Sequence, residues 1–150
     1  MTAPERLTPV MRQVLADALR ARPDDDLRAP VTGRPATVKA LIARGLAMPD
    51  QTDDDGPPIL TRQGVTAAAK VIDPERPTLQ PGDLVVYHGS IEFEHDNEYI
   101  VLQPWFGRYR LVDAEYHRFY LDQARRTSIS YTGHQVEVPE IFADSGAGAS

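Results

Sequence analysis

Thr37-Val38-Lys39-Ala40-Leu41-Ile42-Ala43-Arg44-Gly45-Leu46-Ala47, answered after a loop by Ile59-Leu60-Thr61-Arg62-Gln63-Gly64, organises the first half of this chain. Val38, Leu41 and Ile42 repeat at helical spacing and predict one buried stripe over a helix from about Arg34 to Arg44. Gly45 can take the left-handed conformation that ends it. Leu46 to Met48 then reads as a short strand, residues 49–58 as a loop, and Ile59-Leu60 as the returning strand. Thr61 is placed to cap a further helix whose Val65, Ala68, Ala69 and Ile72 share one face.

Upstream, Leu7, Val10, Met11, Val14, Leu15, Ala18 and Leu19 form an unbroken apolar helical stripe. Thr8 can cap this helix, and Pro9 suits its first position because the missing donor is not needed there. It should stop near Arg22, before Pro23 and Asp24-Asp25-Asp26. Thr32 or Gly33 lies near the cap of the second helix, and Leu27 to Val31 reads as a strand or a single turn. Three helices and a hairpin in this order resemble the winged-helix domain of small bacterial regulators of the MarR and PadR type. The chain leaves little room for the extra short helix that most such domains place before the recognition helix.

The resemblance implies double-stranded DNA as partner, the second helix as the groove-reading element and the hairpin as the wing. Between Leu27 and Pro49 the chain carries Arg28, Arg34, Lys39 and Arg44 and no acidic residue. Arg34, Thr37, Lys39 and Arg44 are therefore expected to contact DNA, with Arg28 and Arg62 as phosphate anchors. The hairpin tip carries Asp50, Asp53, Asp54 and Asp55, which repel phosphate. Either this wing points away from the duplex or the unit binds something other than DNA.

Downstream, Asp73-Pro74-Glu75-Arg76-Pro77-Thr78-Leu79-Gln80-Pro81 breaks helical continuity and reads as a stiff, semi-extended linker. All eleven aromatic residues lie from Tyr87 onward, so an aliphatic core in front and an aromatic one behind are expected. After Pro81 the period falls to two. Leu84 to Tyr87, Glu98 to Leu102, Arg108 to Leu111, Arg118 to Leu121 and Ser128 to Tyr131 predict five strands. Gly89-Ser90, Asp96-Asn97, Phe106-Gly107 and Asp113-Ala114 supply the turns. Strands at this spacing suggest a small closed barrel, and the stretch resembles SH3-like and Tudor-like barrels. The organisation expected is α+β: a winged-helix-like domain over 7–73, a Pro-rich linker over 74–80, a five-stranded SH3-like β-barrel over 81–133, and a mostly flexible tail over 134–150.

Net charge is −6, carried wholly by residues 74–150, which hold twelve acidic and six basic groups against ten of each in residues 1–73. Any nucleic-acid role must then rest on a local patch in the first half. Two lysines against fourteen arginines fit a GC-rich genome. The absence of cysteine excludes disulfides and thiolate metal sites. No apolar run is long enough for a membrane span and no signal-peptide pattern opens the chain, so a cytoplasmic location without membrane partners is expected. His88, Glu92, Glu94, His95 and Asp96 include metal-ligand types, but no matched histidine pair, and read as a solvated acidic loop. No nucleophile elbow or phosphate-binding glycine loop is present, so no catalytic residue, metal or cofactor is assigned. Trp105, Phe106, Tyr116 and Tyr120 are the expected protein-binding residues, with Trp105 alternatively plugging one barrel end. The function expected is that of a non-enzymatic DNA-binding protein, a bacterial transcriptional regulator or DNA-associated accessory factor. Its barrel would recruit a protein or set a homodimer. The alternative is a protein–protein interaction adaptor that touches no DNA.

Overall fold

The computed structural model describes residues 7–23, 28–53, 55–118 and 120–139, with Trp105 described by its backbone alone. Asp24-Asp25-Asp26, Leu27, Asp54, Phe119, the side chain of Trp105 and the tail from Glu140 lie outside this description. Helix α1 runs Pro9–Arg20, capped by Thr8, whose Oγ1 accepts from the Met11 amide at 3.1 Å. Helix α3 runs Arg62–Ile72, capped in the same way by Thr61 from the Gly64 amide at 3.0 Å. Their predicted stripes are inside except at the start of α1, where Val10 is 55% exposed and Leu7 only partly buried: Met11, Val14, Leu15, Ala18 and Leu19 meet Val65, Ala68, Ala69 and Ile72 in one core. Gly64 permits the close approach of α3 to the preceding hairpin, because a Cβ there would stand 1.9 Å from the Leu46 carbonyl oxygen.

Helix α2, Pro35–Ala43, is shorter and more loosely held. Leu41 is its one buried residue, Val38 is partly buried, and Ile42 is 37% exposed, so the expected three-residue stripe narrows to two. Gly45 ends the helix region at φ +75°. Strands β1 (Ala47–Met48) and β2 (Ile59–Leu60) pair antiparallel, with Ala47 opposite Leu60. The segment before α2 is extended rather than turned: Pro30 bridges Ile59, Val31 donates to the Pro58 carbonyl at 2.7 Å, and Leu60 donates to the Ala29 carbonyl at 3.0 Å.

The second half is a five-stranded antiparallel sheet of β3 (Asp83–Tyr87), β4 (Glu98–Trp105), β5 (Arg108–Asp113), β6 (Tyr120–Ala124) and β7 (Ile129–Gln135), in the order β6-β5-β4-β3-β7. The expected closed barrel is not formed. Strand β6 pairs with β5 and β7 with β3, and neither pairs with the other. The start of β7 is held elsewhere: Arg126, in the 3₁₀ turn Arg126–Ser128, donates to the Pro77, Arg76 and Ile129 carbonyls and to Asp73. These bonds lead β7 to β3 and the helices, away from β6. One sheet face holds Val85, Tyr99, Val101, Leu111 and Ile129. Val86 packs into the helical core instead, and Tyr131 touches both cores.

The proline-rich segment between the two halves is anchored throughout. Asp73–Glu75 is a 3₁₀ turn, and Leu79 is fully buried in the sheet core. Asp83, also fully buried, accepts two bonds from Arg76 at 3.0 and 2.9 Å, one from the Gln80 amide and one from Gln135. A buried carboxylate is tolerated only with partners of this kind. That bond and the Asp83 charge raise the Arg76 pKa. A second cross-link joins the buried Arg22 to Glu98 by two bonds at 2.9 and 2.6 Å.

Candidate nucleic-acid interface

The expected DNA-contacting residues fall into three settings. Arg34, Lys39 and Arg44 are exposed on α2 and its ends. Arg34 is the N-cap residue, no side chain caps the helix, and Pro35 occupies the first helical position. The first-turn amides and the positive end of the helix dipole therefore face outward beside a guanidinium. Arg44, at the C-cap, donates from Nη1 to the Ala40 carbonyl at 3.2 Å, which suits a cation at the negative end. Thr37 is half-buried. It lies ~200° around the helix from Lys39, so the two side chains leave opposite sides of α2.

The outward face of α2 is instead Ala36, Lys39 and Ala43, with Ile42 on its flank. Small residues let a helix backbone approach a groove closely, and Lys39 is the one charge among them.

Arg28 is turned into the wing. Its Nη1 donates to Thr52 Oγ1 at 2.5 Å and to Asp50 Oδ2 at 3.4 Å. Asp50 also accepts from the Thr52 amide and hydroxyl, and Asp53 accepts from the Asp55 amide. Two of the wing's carboxylates thus serve its own turn, and one of them has a guanidinium beside it. Arg62 is on neither surface: it donates to Asn97 Oδ1 at 3.0 Å and lines a cleft between α3 and the sheet.

The aromatic quartet is not assembled either. Phe106 is 91% exposed at the β4–β5 hairpin tip, while Tyr116 and Tyr120 flank the far end of β5. The register that pairs Trp105 with Arg108 and Tyr99 with Asp113 separates them by roughly 20 Å of strand. Phe106 takes φ 50° in a two-residue turn with Gly107 at φ 79°, a conformation that suits Asn or Gly better than a bulky ring. The Tyr116 hydroxyl bonds Glu115, which raises its pKa.

The acidic loop after β3 also has internal uses. His88 contacts Ser130 Oγ at 2.8 Å, and burial, with Lys70 nearby, lowers its pKa. Asp96 accepts from Thr66 at 2.6 Å, and Glu94 accepts from the Tyr99 hydroxyl and Asn97. Burial of Tyr99 raises its pKa, and the Glu94 bond adds to the shift. Among the described residues no three such side chains converge on a point that would hold a metal.

The cleft beside Arg62 had no sequence signal. Its walls come from α3, the start of β4, the turn after β5 and the end of β7, and only the tertiary fold brings these together. Compared with known proteins, the chain matches no protein-family model, no curated protein and no solved structure.

Proposed function

We propose that this is a non-enzymatic DNA-binding protein, a transcriptional regulator or DNA-associated accessory factor of bacterial type acting in the cytoplasm. Its helical unit is winged-helix-like, reduced to one helix between the first extended segment and the wing. The ladder of residues 29–31, β2 and β1 supports that likeness. Its sheet unit is SH3-like in strand order, with a 3₁₀ turn before the last strand, but open. Among the described residues no helix is long and apolar enough to cross a membrane.

The observation that carries the proposal is the outward face of α2. Lys39 stands at its centre, Arg34 and Arg44 are exposed at the two ends of the helix, ~140° around its axis from Lys39, and no carboxylate occurs from residue 28 to residue 49. Ten residues of helical rise set the two arginines about 15 Å apart. That spacing is close to the ~12 Å width of a major groove, so the ends can meet phosphates on both strands. A fluorescence anisotropy titration with duplex DNA at low salt tests it. Lys39→Glu with Arg44→Glu should abolish binding, and unchanged affinity would show that α2 is not the contact.

The adaptor reading has its own support in the acidic wing and the acidic cleft. It predicts no measurable DNA affinity and one stoichiometric protein partner in a pull-down.

A further inference from the structure

The cleft lined by α3 and the sheet has a volume of about 800 Å³ and is partly open to solvent. Its floor is apolar, made by Leu60, Val65, Leu84, Ile100 and Val136. Its polar lining carries six carboxylates against three guanidiniums. One of those guanidiniums, Arg22, is already held by Glu98, and a second, Arg62, bonds Asn97. Asp96 and Asp113 are fixed by Thr66 and by the Tyr116 and Arg118 amides, while Glu115 and Glu137 stand exposed at the rim.

We propose that this cleft is a docking site for an extended, basic peptide segment of a partner protein, in which apolar and cationic residues alternate. Successive side chains of an extended chain point to opposite sides. One set can therefore meet the apolar floor while the other reaches the carboxylates of the rim. The excess negative charge lies within a Debye length of ~8 Å at physiological salt, so it attracts cations and repels nucleic acid. A small-molecule pocket buries ~70–90% of its ligand, whereas a segment lying through a partly open cleft needs no such enclosure. The cleft is separate from the outward face of α2, so the inference does not rest on DNA binding.

The test uses the full chain and two labelled octapeptides, one alternating leucine with arginine and one alternating leucine with glutamate, titrated by anisotropy at low salt without DNA. The basic peptide should bind at least about thirtyfold more tightly, and Glu115→Lys with Glu137→Lys should weaken it about tenfold or more. Arg118→Glu, which removes a competing cation from the same lining, should tighten it about threefold. Circular dichroism checks that each variant is folded; if the double reversal does not fold, Arg118→Glu decides by the sign of its effect. Equal binding of both peptides, no saturable binding, or indifference to these substitutions would overturn the proposal.

Discussion

The salt dependence of the proposed DNA binding gives the sharpest test of how the cations are distributed. Each phosphate neutralised on duplex DNA contributes about −0.9 to the slope of log affinity against log salt. Arg34, Lys39 and Arg44 are the three cations on the α2 side, so the expected slope is about −2.7. Affinity should then fall about 40-fold between roughly 50 and 200 mM salt. Lys39→Ala keeps a good helix former at that position and should reduce the slope to about −1.8 and the loss to about 12-fold. Arg62→Ala should leave the slope unchanged, because Arg62 is bonded to Asn97 in the cleft. Arg28→Ala should also leave it unchanged, because Arg28 is held on Thr52 and Asp50. Anisotropy with one labelled duplex at four salt concentrations measures all four proteins. A slope insensitive to Lys39→Ala, or reduced by Arg62→Ala, would refute the assignment of the contact to α2.

Four further outcomes follow from the packing. Gly64→Ala forces a Cβ into the Leu46 carbonyl and should cost about 3 kcal/mol or more, read as a lower urea midpoint. Arg22→Ala leaves Glu98 without its bidentate partner in a largely buried joint and should cost about 3–5 kcal/mol in the same assay. His88 is depressed by burial, so the unfolded chain takes up its proton first as pH falls. Its contribution is complete above about pH 6.5 and declines below it, and His88→Gln should flatten the loss of stability between about pH 7 and 5. Phe106→Asn replaces a ring at positive φ with a residue that tolerates it and should raise stability by about 0.5–1 kcal/mol in thermal melts.

What the sequence disclosed was local. Thr8 and Thr61 cap within three residues, and Gly45 stops α2 by its own backbone freedom, so these features need no tertiary context. The stripes of α1 and α3 are legible because both helices bury a full face. Ile42 misleads because α2 presents only Leu41 fully to the core, and periodicity cannot tell how much of a helix is covered. Alternation located all five strands but not their closure. Closure depends on where Arg126 anchors β7, through a partner 53 residues away at Asp73. The same limit hid the fixing of the proline-rich segment, the turning of Arg28 into the wing, and the cleft. The aromatic residues are apart for a different reason: the register of one hairpin sets Phe106 at its tip and Tyr116 and Tyr120 at its other end.

The two halves, distinct in composition, share a wall. Val86 and Tyr131 belong to sheet strands yet pack with Ile72 and its neighbours, and the His134 ring donates to the Leu19 carbonyl at the end of α1. Arg22–Glu98, Thr66–Asp96 and Arg62–Asn97 close the same seam from its polar side. The polar bonds of that seam hold the α1 end and α3, and α2 joins the same core through Leu41. Helix α2 is attached through Leu41, the partly buried Val38 and Ala40, and the short β1–β2 hairpin, while the sheet braces α1 and α3. On the proposed reading this arrangement separates two tasks: the sheet half braces the scaffold, and the helix with the fewest buried residues meets the duplex. The carboxylates of the cleft follow the same division, since they sit on the bracing unit.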